Sequence, residues 1–109
     1  MRRRFIAVVA LLVTTSFMKP VSAAVTAGDV LGKMSDREQN GYITGAIDMM
    51  LYLEQVPSQG STPRSKCILE WYYGKGAPGP RQVIVLFDGN RDKPAIGLIK
   101  ILVDRACGK

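Results

Sequence analysis

The octet Gly-Tyr-Ile-Thr-Gly-Ala-Ile-Asp, positions 41–48, lies inside the longest helix-compatible stretch of this chain and limits what the chain can fold into. Just ahead of it, Ser35-Asp-Arg-Glu38 has the Ser-x-x-Glu form of a capping box, in which serine accepts from the N3 amide and glutamate from the N-cap amide. A helix is therefore expected from about Asp36 to about Gln55, ended by a Pro- and Gly-containing loop at 57–63. At 3.6 residues per turn, Tyr42, Ala46, Met49 and Leu53 fall on one line, and Ile43, Ile47 and Met50 widen it into an apolar arc expected to be buried. Gly41, Gly45, Asp48 and Tyr52 form a second line beside it. Glycine costs about 1 kcal/mol against alanine inside a helix, so two of them one turn apart suggest a packing motif of Gly41, Tyr42, Gly45 and Asp48 that a neighbouring segment approaches closely. Membrane-helix dimers use the same spacing, but they need about 20 apolar residues, and this stretch carries Asp48 and Glu54.

The N-terminus has a different character. Met1-Arg-Arg-Arg4 is basic, positions 5–13 are uninterruptedly apolar, and Val-Ser-Ala at 21–23 is a small-x-small ending. Together they read as a secretory signal peptide, residues 1–23, cleaved after Ala23 and directing the remainder to the periplasm. The apolar run is shorter than the roughly 20 residues a membrane span requires. Residues 24–109 then make one domain of 86 residues. Four of the 15 Lys and Arg lie in the leader, leaving 11 against 9 Asp and Glu, a net charge of +2 rather than the +6 of the whole chain. With no basic tract and charges that alternate in sign, nucleic acid is not an expected partner.

A domain of this size has a modest core and commonly carries an additional cross-link. In an exported chain with two cysteines, a Cys67–Cys107 disulfide is the simplest pairing; two free thiols or an intermolecular bridge are the alternatives. The remaining segments are read as helices. Thr26 and Asp29 open a short one running to Met34. Ser65 to Tyr73 forms another, stopped by Gly74 and Gly76. Pro80 begins a third, which Gly89 ends, although Val83 to Phe87 would suit a buried strand equally by propensity. Asp92 is expected to cap the last helix, with Pro94 in its first turn, an arc of Ala95, Leu98, Ile99, Leu102, Val103 and Ala106, and Gly108 at its end. The expected fold is all-α, a small bundle of about four to five helices with one disulfide.

Catalytic signatures are absent from the sequence. It contains no histidine to act as a base for a cysteine or serine nucleophile, no phosphate-cradling glycine loop and no metal-ligand cluster, so no enzymatic activity, cofactor or metal is expected. Carboxylate spacings such as Asp48 with Glu54, or Asp88 with Asp92, are those of a solvated surface. Met49 and Met50 read as core filler. Trp71, Tyr72 and Tyr73 are consecutive and cannot all face one core, so at least one should be exposed. They are the candidate partner-binding residues, together with the loop at 57–66; the alternative is that these rings close the edge of a small core.

The order of these features resembles the Rap/Tai immunity-protein family. The matching elements are an export signal, Asp-Val-Leu at 29–31, Gly-Tyr-Ile-x-Gly-x-x-Asp at 41–48, Lys-Cys-Ile at 66–68, Pro-Ala-x-x-Leu-Ile at 94–99 and a terminal cysteine at 107. The chain departs from the family pattern at Gln39-Asn40 and at Arg105-Ala106-Cys107. The resemblance implies a small periplasmic helical protein that sterically blocks a peptidoglycan amidase effector delivered by type VI secretion. It also assigns Gly41, Tyr42, Gly45 and Asp48 to the central helix and Cys67 and Cys107 to the disulfide. Two other readings suit such a scaffold, a periplasmic chaperone or stress protein and an accessory subunit of an envelope complex. Homodimerisation is compatible with each.

Overall fold

Capping boxes set the starts of the first three helices. A computed structural model describes residues 24–109; the signal-peptide expectation at 1–23 lies outside the described residues. Thr26 and Asp29 exchange backbone-to-side-chain hydrogen bonds of 3.1 Å each at the start of α1, Ala27–Lys33. Ser35 and Glu38 do the same, at 3.2 and 3.1 Å, for α2, Asp36–Gln55. Thr62 and Ser65 cap α3, Pro63–Tyr73, with Pro63 in its first turn. This helix therefore begins two residues earlier than expected, and the segment at 63–66 is helix rather than loop. Thr62-Pro-Arg-Ser65 satisfies the same reciprocal pattern with a serine in place of the acid.

α4, Gly79–Asp88, and α5, Ala95–Cys107, have no side-chain cap. Asp92 does not cap α5, whose N-cap is Pro94. Tertiary backbone bonds serve that end instead: the Ala95 amide donates to the Val25 carbonyl at 2.9 Å, and the Ala27 amide to the Lys93 carbonyl at 2.9 Å, forming an antiparallel bridge. The start of α5 is thus fixed by the segment preceding α1, which local sequence cannot reveal.

Residues 83–87 are helical. A strand would put Val83, Val85 and Phe87 on one face, whereas here Val83 and Phe87 are fully buried and Val85 is 63% exposed, the i, i+4 pattern of a helix. α5 packs against each of the other four helices and supplies Ala95, Leu98, Ile99, Leu102 and Val103 to the core, while Ala106 lies outside it. Phe87, Ile47, Ile68 and Ile99 are among the largest fully buried side chains.

The Cys67–Cys107 disulfide is formed, with Cα atoms 5.7 Å apart, and ties α3 to the last turn of α5. Beside it Arg64 reaches three groups: the Glu54 carboxylate at 3.2 Å, the Asp104 carboxylate at 2.8 Å and the Gly108 carbonyl at 2.7 Å. Lys100 completes the cluster at 2.6 Å from Asp104. The ends of α2 and α5 and the start of α3 are therefore pinned at one corner.

Three carboxyls titrate below their ordinary range: Asp104 through its bond to Lys100, Asp29 through Lys33 and then Thr26, and Glu38 through the Ser35 amide. A folded pKa below the unfolded one gives stability that is complete above the unfolded value, about 4, and lost as pH falls through the lowered folded values. Calorimetric scans should show Tm unchanged by carboxylate protonation between pH 7 and 5, then falling below about pH 4. A Tm that stays flat to pH 2 would contradict this role for the three acids.

Candidate partner-binding surface

Four exposed large apolar side chains stand together at the C-terminal end of α2. Its buried face is Ile43, Ala46, Ile47 and Leu51, with Met50 and Tyr42 partly buried. Met49 and Leu53, expected in the buried arc, are 56% and 62% exposed, and Tyr52 and Val56 are 60% and 53% exposed. The buried arc is rotated from its expected centre toward Ile43, Ile47 and Leu51, which leaves Met49 and Leu53 beyond its far edge, facing solvent. Met49, Tyr52, Leu53 and Val56 stand at i, i+3, i+4 and i+7, so the C-terminal half of α2 carries a second apolar stripe directed at solvent. The sequence held the signal: apolar residues between 42 and 56 cover more of the helix circumference than one core can bury.

Between this stripe and α5 runs a groove of about 370 Å³. Met49, Met50, Leu53 and Ile96 form its apolar part, and Glu54, Arg64 and Lys100 stand along its edge. Those charges are already engaged with one another or with Asp104, and Glu54 also accepts from the Thr62 hydroxyl at 3.3 Å. The edge is consequently polar, ordered and internally neutralised.

The expected aromatic anchors divide. Trp71 and Tyr72 are core residues, 7% and 8% exposed, because Ile68, Trp71 and Tyr72 fall at i, i+3 and i+4 on the inward side of α3. The Trp71 indole N–H donates to Gln82 Oε1 at 2.9 Å, which satisfies its one polar atom. Neither ring is available to a partner as a surface anchor, which corrects that expectation. Tyr73, one position on, is 46% exposed and packs edge-on against Tyr72, with ring centroids 5.0 Å apart. Its hydroxyl donates to Asp48 Oδ1 at 2.6 Å, joining α3 to the outer side of α2. Burial, and then that carboxylate, push the Tyr73 phenol well above its ordinary pKa, so it remains a neutral donor.

Gly41 and Gly45 are also not where a packing motif would put them. Both are exposed, and a Cβ added to either meets nothing within 4 Å. No segment among the described residues uses the smooth strip, which instead continues the outer line of α2 that carries Asp48 and Tyr52. Gly41→Ala and Gly45→Ala should therefore each stabilise the domain by about 1 kcal/mol, since alanine removes the entropic cost of glycine without a clash. Urea denaturation of the two variants checks this, and destabilisation by either would show that the strip is covered within the fold.

No group of three or more His, Cys, Asp or Glu side chains that could hold a metal ion occurs among the described residues. No described helix is long and apolar enough to cross a membrane. No family model, curated protein or solved structure matches the chain.

Proposed function

We propose that this chain is an exported, periplasmic binding protein that silences a peptidoglycan amidase by covering its substrate cleft, the activity implied by its resemblance to the Rap/Tai immunity proteins. The supporting observation is the solvent-facing stripe of Met49, Tyr52, Leu53 and Val56, each more than half exposed, on a helix whose opposite side is core. Grouped exposed apolar side chains of this kind mark interaction surfaces. An aromatic and three aliphatic side chains on one helix face, edged by charges that are already paired, provide an apolar centre with a polar rim.

Inhibition of this kind requires shape rather than chemistry. Through Glu54 the Arg64 cluster pins the end of α2 that bears the stripe to α3 and α5, which the Cys67–Cys107 disulfide ties to each other, so little ordering remains to be done on binding and little affinity is lost to it. Tyr73, bonded to Asp48, extends the surface to α3 and replaces the buried Trp71 and Tyr72 as its aromatic flank.

The reading is tested by immobilising the protein, passing an envelope extract over it and identifying what remains at high salt. A peptidoglycan hydrolase, retained by the wild type and lost from a Leu53→Asp column, is the expected result. Retention of unrelated envelope proteins in equal measure on both columns would overturn the reading.

A further inference from the structure

We infer that a second groove, between α4 and Leu102 of α5, binds a single amphipathic anion of the long-chain carboxylate type, with its alkyl chain on Val85, Leu86 and Leu102 and its headgroup at Arg81. This groove measures about 680 Å³, within the range of small-molecule sites, and Ala77 and Pro78 of the segment between α3 and α4 add to its apolar part. Beside it lies a hollow of about 320 Å³ that shares Gln82 and Leu102 with it and has Arg105 in its lining.

Charge complementarity identifies the occupant. Neither hollow has an acidic lining residue, although the chain carries nine carboxylates. Arg81 and Arg105 take part in none of the ion pairs found among the described residues. In the groove beside α2, by contrast, Glu54 lies in the lining and engages Arg64. α4 also begins without a side-chain cap or an acid in its first turn, the turn that carries Arg81, so the positive end of its dipole is uncompensated there. An apolar concavity with uncompensated positive charge matches a chain ending in an anion.

The form of the groove favours one free chain over a lipid surface. A bilayer docks on a projecting apolar or basic face, whereas here the apolar side chains line a depression. One wall is rigid: a Cβ at Gly79 would lie 2.5 Å from the Trp71 carbonyl oxygen, so the start of α4 is pressed against α3. Gln82, whose Oε1 accepts from Trp71, keeps its amide hydrogens uncommitted at the junction of the two hollows.

The single tryptophan lines the smaller hollow and supplies the readout. The purified protein is titrated with sodium dodecanoate below its micellar concentration, following Trp71 fluorescence and heat, and in parallel with dodecyltrimethylammonium. One equivalent of dodecanoate should saturate the signal, and the cationic surfactant should give no saturable change. Arg81→Gln with Arg105→Gln should weaken dodecanoate binding at least tenfold without altering Tm. Val85→Asp, at a largely exposed position, should abolish binding with an unchanged far-ultraviolet spectrum. Equal binding of the cationic surfactant, dodecanoate binding untouched by these substitutions, or adhesion to phosphatidylglycerol vesicles without saturable dodecanoate binding would each overturn the inference.

Discussion

Replacing Cys67 and Cys107 together by serine should lower the stability of the domain by about 4 kcal/mol and its Tm by roughly 15–30 °C. The bridge closes a loop with a sequence separation of 40. Cross-linking acts chiefly on the unfolded chain, whose freedom falls with the logarithm of loop length, and a loop of this size accounts for most of the figure. Both cysteines are only partly buried, so the double substitution leaves no large cavity, and changing both residues leaves no unpaired thiol to form adventitious dimers. The effect is large because the domain is small and total stabilities of 5–15 kcal/mol are usual. Reversible thermal unfolding of the wild type, the double variant and the reduced wild type measures it. The last two should coincide, and an unchanged Tm would show that the Arg64 cluster and the core hold the fold without the cross-link.

Met49→Asp combined with Leu53→Asp should weaken partner binding by at least a hundredfold, about 3 kcal/mol, while leaving Tm within 1–2 °C of the wild type. Both side chains project more than half their surface into solvent, so their loss costs the isolated domain little. In a complex they would occupy the dry centre of the contact, where a carboxylate is either desolvated or holds the surfaces apart. Trp71→Ala provides the contrast. That ring is 7% exposed, so its removal should cost about 3–5 kcal/mol of stability and affect binding only through loss of folded protein. Calorimetric titration of a captured hydrolase against the three proteins separates the effects. Binding by the double-aspartate variant as tight as by wild type would exclude the α2 stripe as the contact.

Helix positions were legible where the signal was local. Ser35 with Glu38, and Thr26 with Asp29, fixed two helix starts through bonds made within one turn. The start of α5 was not legible, because its first amide is satisfied by Val25, far away in sequence. Residues 83–87 were ambiguous for a different reason: their β-branched composition favours strand, and only packing of Val83 and Phe87 on one side selects helix. The surface was read less well than the fold. On α2, two apolar lines compete for one core, and the choice between them is made by helices distant in sequence, so the helical repeat alone does not reveal that Met49 and Leu53 face solvent. On α3, consecutive aromatic residues gave the number of exposed rings, at least one, without identifying it. The i, i+3, i+4 relation of Ile68, Trp71 and Tyr72 singles out Tyr73 once the helix start at Pro63 is known.

The Gly41 and Gly45 strip links stability to the proposed activity. Alanine at both positions should make a more stable domain, so an open strip on an outward helix line is a cost that a contact made only in the complex would explain. The proposed silencing of a cell-wall amidase by occupation of its cleft is measured by titrating a captured hydrolase with this protein and following release of peptide from peptidoglycan. Activity should fall linearly and reach the baseline near one equivalent, with the Met49→Asp and Leu53→Asp double variant inert at the same concentrations. Activity unchanged at several equivalents of the wild-type protein would contradict it.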